Sequence, residues 1–366
     1  MRNLLVKPSG PDCNLACDYC FYLEKNELYP GNTRMDLLTA EEMISQAMAS
    51  GEPVTFSWQG GEPTLMGLDF FRDVIQLQKK YGTGGQRVTN TVQTNGVELT
   101  EEWVDFFSRY NFLVGISLDG PRDLHDSFRK YPDGGGSYVD VMEAIELLEA
   151  GDVPFNILTV LNSRTVKQPK RILNFFLQND LRHLQFIPAI EVKETAKGKE
   201  LASFTPSPEE VGNFLDEVFE IWTGNFPPRF SVRYFESLVS VELGETPGYC
   251  KIDENCGSYL VVEHNGDVYP CDFYVERSWK LGNLKQTTLE EIEKREEFQN
   301  FARGKTDLPS ECRDCDYLVY CHGGCQRYRD LPGGPEDRSY LCKAYRRFLS
   351  RNLDKVKRVA RRIAGS

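Results

Sequence analysis

Histidine is scarce in this chain: four occur in 366 residues, His125, His183, His264 and His322, too widely spaced to suggest a histidine metal centre. Each reads as structural or solvent-facing. Long apolar runs are also missing. Nothing approaches the roughly 20 residues that cross a bilayer, so no membrane association is expected. The N-terminus has no apolar stretch of signal length. A surplus of positive charge is lacking as well: 43 Lys and Arg against 55 Asp and Glu give a formal charge of −12. That balance argues against nucleic acid as a partner, because phosphate contacts need a basic face. The tail is the exception, with nine Lys or Arg between Lys343 and Ser366 against Asp354 alone. Phe348, Leu349, Leu353, Val356, Ala360 and Ile363 recur there at helical spacing. The pattern predicts a basic amphipathic helix over 343–366, packed on the body by its apolar stripe, with docking of an acidic partner as the lesser alternative. Finally, the chain lacks an even cysteine count. Eleven cannot all pair, which predicts a reducing, cytoplasmic setting with thiolates committed to metal.

What is present begins with Cys13, Cys17 and Cys20 in the spacing C-x3-C-x2-C. Three thiolates this close can wrap one inorganic cluster, yet they cannot complete a cube of four irons. The fourth iron stays open for a small molecule to chelate. A disulfide framework suits a short secreted chain rather than one of this length. A zinc site built from three Cys and a distant fourth ligand is the remaining alternative. A second cysteine field follows: Cys250, Cys256, Cys271, Cys312, Cys315, Cys321, Cys325 and Cys342. Eight thiolates fill two four-iron clusters, and zinc competes only for the C-x2-C part.

The first 190 residues alternate apolar runs with helical patterns. Candidate strands begin near Leu4, Val54, Val88, Phe112, Phe155 and His183, separated by segments long enough for helices. Thr39 and Glu42 read as a capping-box pair with Gly51 as a stop, and Ser207, Pro208 and Glu210 mark another helix start. Six such units predict an α/β fold, a partial (βα)6 TIM-type barrel, whose sites gather at the C-terminal ends of strands. The first cysteine loop follows the first strand and falls at that mouth. So do Trp58-Gln59-Gly60-Gly61-Glu62-Pro63, Gln93-Thr94-Asn95-Gly96 and Gly115-Ile116-Ser117-Leu118-Asp119-Gly120. The two glycines let backbone approach a ligand closely, and the glutamate can accept from an ammonium group. Ser163 to Pro208, polar and poorly periodic beyond its strand, reads as a surface excursion where a substrate chain could lie.

The run CNLACDYCFY resembles the radical S-adenosylmethionine enzymes, and the second field resembles the SPASM domain of peptide-modifying members. The stretches WQGGEPTL, GSYLVVEHNGDVYPCDFYV and ECRDCDYLVYCHGGC resemble anaerobic sulfatase-maturating enzymes over nearly the whole chain. The resemblance implies a radical barrel over 1–230, a SPASM domain over 231–342 and the C-terminal helix over 343–366. No extra N-terminal peptide-recognition domain is expected. It implies S-adenosylmethionine and three 4Fe-4S clusters as cofactors. Gly60, Gly61 and Glu62 would lie at the methionyl end, with Ser117 and Arg129 as further contacts. Cys250, Cys256, Cys271 and Cys325 would hold one auxiliary cluster, and Cys312, Cys315, Cys321 and Cys342 the other. Asp272 would be the base, with Tyr22 and Gln59 beside the substrate side chain.

The implied reaction is oxidation of a Cys or Ser to Cα-formylglycine, begun by a 5′-deoxyadenosyl radical that takes hydrogen from Cβ. The implied partners are an unfolded or nascent sulfatase polypeptide with a Cys/Ser-x-Pro-x-Arg motif and a low-potential donor such as ferredoxin or flavodoxin. One departure is Gly323-Gly324-Cys325-Gln326-Arg327, where many family members carry proline after the cysteine. The chief rival is a SPASM enzyme forming thioether or carbon–carbon crosslinks. A non-catalytic electron-transfer or zinc protein is the rival from another class.

Overall fold

The computed structural model describes residues 1–31, 33–195 and 198–365; Asn32, Ala196 and Lys197 of the expected barrel and Ser366 of the expected tail lie outside these. Among the described residues the strands are β1 (Arg2–Lys7), β2 (Val54–Trp58), β3 (Val88–Thr94), β4 (Leu113–Ser117), β5 (Phe155–Leu161), β6 (His183–Pro188), β7 (Val192–Thr195), β8 (Gly198–Leu201), β9 (Ser231–Val232), β10 (Leu260–Glu263), β11 (Asp267–Tyr269) and β12 (Gly282–Asn283). All six strands expected in the first 190 residues form. The chain divides into two compact units.

The first unit comprises Met1–Ser117, Asp126–Phe155 and Gly257–Phe301. Strands β1 to β4 pair in parallel in sequence order. On its other edge β1 pairs in parallel with β10, with Lys7 opposite Glu263, and β10 continues antiparallel into β11 and β12. Residues 257–301, beyond the expected boundary at 230, therefore complete the sheet that begins at β1. Parallel strands are covered on both faces, so they read as dense apolar runs. Val6, Phe56, Trp58, Val114 and Ile116 are all fully buried. Helix Leu37–Met48 buries Met43, Ile44 and Ala47, and helix Gly67–Tyr81 buries Phe71 and Val74. The first of these starts earlier than the sequence suggests: Asp36 is the N-cap, its carboxylate accepting from Thr39 N at 2.7 Å. Thr39 lies inside the helix, buried, because its side chain faces the body rather than the helix end.

The second unit comprises Leu118–His125, Asn156–Cys256 and the chain from Ala302 onward. Strands β5, β6 and β9 pair in parallel, and β7 and β8 form a separate antiparallel hairpin within the expected surface excursion. Helix Pro208–Trp222 starts at a complete capping box between Ser207 and Glu210. The expected tail helix runs Cys342–Ala364 and packs against helices Pro208–Trp222 and Arg233–Glu242. Phe348 is fully buried, its ring in contact with Phe219, Tyr234 and Phe235. Part of the basic face finds its acid inside the unit: Arg347 and Arg351 pair with Asp216 at 3.2 and 3.0 Å, and Lys355 pairs with Glu220. Ile363, assigned to the apolar stripe by spacing, is 43% exposed and lines a pocket with Trp222, Val239 and Leu243. No helix among the described residues is long and apolar enough to cross a membrane.

Candidate active site

The three-cysteine loop leaves the C-terminal end of β1 through a tight turn, with Gly10 N donating to Lys7 O at 3.1 Å and Asp12 N to Ser9 O at 3.0 Å. Glu62 N donates to Asp12 O at 2.8 Å, tying this loop to the one after β2. Gly61 permits that approach. It has φ +52°, and a Cβ there would stand 2.1 Å from Asp12 O. Gly60, at φ +98°, leaves space that the Lys7 stem occupies, 2.1 Å from where a Cβ would be. Neither position accepts a side chain without moving backbone or a buried lysine.

The loop suits a cluster chemically. Leu15 N points at Cys13 Sγ from 3.4 Å and Asn95 Nδ2 from 3.8 Å, the kind of donors that stabilise cluster thiolates. Burial pushes the Cys13 thiol up to about 12, with the Glu62 carboxylate adding to the effect, and burial also raises Cys20. Such thiols ionise when a metal takes the proton's place. Among the described residues no three Cys, His, Asp or Glu groups converge on one point as ligands of a single ion.

Glu62 is wholly buried and its carboxylate is already engaged. Oε1 accepts from Thr64 N at 3.0 Å, Thr64 Oγ1 at 2.8 Å and Thr94 Oγ1 at 2.7 Å, while Oε2 accepts from Asn95 N at 2.7 Å. It thus knits the loops after β2 and β3 together. Burial raises its pKa, against the lowering effect of these four bonds. Ser117 is buried at the end of β4. Arg129 is also buried, with its guanidinium 5.5 Å from the centre of the Tyr19 ring.

Beside these loops, still within the first unit, lies a compact group of polar side chains. Asp272 directly follows Cys271 at the start of a short turn of helix. Its carboxylate forms an ion pair with Lys7 and accepts from Gln59 Nε2 at 3.3 Å. Lys7 is 2% exposed, and its ammonium also stands 4.2 Å over the Tyr22 ring. The Tyr22 hydroxyl donates to Glu263, which is completely buried and has His264 Nδ1 3.4 Å from its other oxygen. Burial, with Glu263 beside it, holds the Tyr22 hydroxyl well above its usual range. The structure thus brings Tyr22, Gln59 and Asp272 together. Lys7 and Glu263, which link them, escaped the sequence reading. The signal was a charged residue closing an otherwise apolar strand in NLLVK and LVVE.

The remaining cysteines of the second unit fall into two groups. Cys312, Cys315, Cys321 and Cys342 line one pocket with Tyr345 and Leu349. Cys250, Cys256 and Cys325 lie close enough to act on one another electrostatically. Burial pushes Cys321 and Cys256 each up to about 11. Cys271, in the first unit, has the Tyr259 hydroxyl 3.4 Å from its sulfur. No disulfide joins any of the eleven.

Comparison with known proteins gives this geometry a context. The radical SAM superfamily matches residues 8–176, and the SPASM iron-sulfur cluster-binding domain matches residues 250–316. The serine-type anaerobic sulfatase-maturating enzyme of Bacteroides thetaiotaomicron is 39% identical, over 94% of this chain and 88% of that enzyme. This chain belongs to the anaerobic sulfatase-maturating enzymes. The cysteine-type enzyme of Clostridium novyi is 36% identical, over 99% of this chain and 98% of its own. The solved structure of native anSMEcpe with bound AdoMet and Cp18Cys peptide superposes with a TM-score of 0.90 at 34% identity, covering 99% of each chain. As a family member the chain is a radical S-adenosylmethionine oxidoreductase: a parallel-sheet α/β core with a SPASM domain and a C-terminal helix, using S-adenosylmethionine and 4Fe-4S clusters.

Proposed function

We propose that this enzyme oxidises a Cys or Ser side chain of a sulfatase polypeptide to Cα-formylglycine. The observation that carries the reading is Asp272, adjacent to Cys271, ion-paired to buried Lys7 and bonded to Gln59, in the unit that also holds the three-cysteine loop. When bound, the cluster at Cys13, Cys17 and Cys20 and its S-adenosylmethionine supply a 5′-deoxyadenosyl radical, which takes one hydrogen from the substrate Cβ. Gly60, Gly61, Glu62, Ser117 and Arg129 form the walls of the S-adenosylmethionine site. Glu62 acts there mainly by fixing the two loops it bridges, since four internal donors already occupy its carboxylate.

The substrate then has one electron and one proton to lose. Asp272 takes the proton from the thiol or hydroxyl, a role that requires an ionised carboxylate within hydrogen-bond reach. Lys7 and Gln59 aim that carboxylate, and Tyr22, fixed by Glu263, walls the substrate side chain. A serine yields the aldehyde directly. A cysteine yields a thioaldehyde, which water converts to the aldehyde with release of hydrogen sulfide. The electron would need an acceptor, which auxiliary clusters would supply; Cys250, Cys256, Cys271 and Cys325 would hold one, and Cys312, Cys315, Cys321 and Cys342 the other. With a protein ligand on every iron, such clusters would carry electrons rather than bind substrate. The partners are an unfolded or nascent sulfatase with Cys/Ser-x-Pro-x-Arg, and a ferredoxin or flavodoxin that reduces the radical cluster in an anaerobic cytoplasm.

The test is anaerobic incubation of reconstituted enzyme with S-adenosylmethionine, a reductant and peptides bearing either motif, read by mass spectrometry. An aldehyde at the Cys or Ser is expected. Asp272→Asn should form it on the order of 10²–10⁴-fold more slowly while still producing 5′-deoxyadenosine. A crosslinked peptide, or 5′-deoxyadenosine with no change in either peptide, would move the assignment to another peptide modification. No cleavage of S-adenosylmethionine by iron-loaded protein would point to an electron-transfer or zinc protein.

A further inference from the structure

Two lysines of the second unit are buried where charge is hard to justify. Lys305 is wholly buried, and its ammonium donates to the backbone carbonyls of Cys250, at 2.7 Å, and Asp253. Lys251 is 6% exposed, and among the described residues its Nζ has no hydrogen-bond partner at all. It stands among aromatic rings, 5.2 Å from the centre of Tyr328 and 5.9 Å from that of Tyr249. Among the described residues no carboxylate forms an ion pair with either ammonium. Buried cations without anions are costly, and aromatic faces and carbonyls offset only part of that cost. Besides the Tyr328 and Tyr345 hydroxyls near Lys251 and the Asp253 carboxylate near Lys305, the neighbours are thiols: Cys250 and Cys325 act electrostatically on Lys251, and these two with Cys256 act on Lys305.

We infer that Lys251 and Lys305 are the counter-charges of the auxiliary cluster at Cys250, Cys256 and Cys325, placed to raise its reduction potential so that it accepts the electron released by the substrate. The inference rests on the reading that these cysteines hold a cluster. A four-iron cluster with four thiolates is a net anion, and accepting one electron adds one negative charge. A fixed cation in a low-dielectric setting therefore stabilises the reduced form more than the oxidised one. The pocket of the other four cysteines differs. It is lined by Arg346, exposed and screened by solvent and salt, and by Arg338, half-buried with its Nε shielded from water, but by no buried lysine. The two auxiliary clusters are thus electrostatically unlike, and the one beside the buried lysines is the better acceptor.

The test compares anaerobically reconstituted full-length holoenzyme with Lys251→Met, Lys251→Arg and Lys305→Met. Iron and sulfide content is measured first, then cluster midpoints by redox titration followed by electron paramagnetic resonance. In Lys251→Met with full iron content, one cluster should become at least tenfold harder to reduce at fixed potential, a shift of about 59 mV for a one-electron couple. Lys251→Arg should restore the wild-type midpoint. Unchanged midpoints in an iron-replete Lys251→Met would overturn the inference. If that variant loses iron, Lys305→Met carries the same criterion, and iron loss in Lys251→Arg as well would assign Lys251 to packing instead. Failure of the underlying reading looks different: wild-type protein would then hold only the radical cluster's iron, or zinc in place of the rest.

Discussion

At the scale of single residues, the chemistry converges on a lysine that carries no motif. Lys7 is buried at the end of β1, where it orients Asp272 and lies against Tyr22 while its stem fills the space left by Gly60. Replacing it with methionine keeps the stem and removes the charge, leaving a poorly exposed carboxylate without its partner. Breaking a buried pair in this way costs about 3–5 kcal/mol. Lys7→Met should therefore lower the chemical-denaturation midpoint by an equivalent amount and slow aldehyde formation, and an unchanged midpoint would show the pair to be dispensable for folding. The cysteines could be read from sequence because their spacing is itself the geometric requirement. Asp272 and Gln59 enter only as what the family resemblance implies, and the structure sets the two within hydrogen-bond distance. Lys7 and Glu263 could not be read, since their partnership depends on β1 pairing with β10, more than 250 residues away. Locally, each is only a charge at a strand end.

At the scale of elements, the helix caps carry a measurable dependence on pH. Asp36 caps helix Leu37–Met48, and its bond from Thr39 holds the carboxyl below its ordinary 3.8. A depressed acid stabilises the fold above its unfolded pKa and loses that contribution as pH falls through the folded value. Asp36→Ala should cost about 1 kcal/mol near neutrality. The difference from wild type should narrow as pH falls below the ordinary 3.8 and through the lower folded value, which urea titrations across pH would check. Sequence alone puts this cap at Thr39, three residues late, because Asp36 and Thr39 both satisfy the local pattern. Only the burial of Thr39 separates them. The tail helix was read more fully, since its 3.6-residue period runs through most of its length. Phe348→Ala should cost about 3–5 kcal/mol, as for other buried aromatics. A loss below about 1 kcal/mol would mean that the helix contributes little to the second unit.

At the scale of the whole molecule, each unit brings its own part of the chemistry. The first contains the radical loop, the loops assigned to S-adenosylmethionine and the Asp272 group; the second contains seven of the eight remaining cysteines. The parallel sheet core was legible in the alternation of strands and helices. The return of residues 257–301 to the first unit was not, because β10 reads locally as one short apolar run among cysteines and reveals no pairing partner. In the proposed reaction one hydrogen leaves the substrate Cβ as an atom, and a proton and an electron follow. A Cys-x-Pro-x-Arg peptide dideuterated at Cβ tests it most directly. The expected product is 5′-deoxyadenosine carrying one deuterium, in step with an aldehyde that retains the other. Undeuterated 5′-deoxyadenosine alongside that aldehyde, or deuterium transfer that ends in a crosslinked peptide, would contradict it.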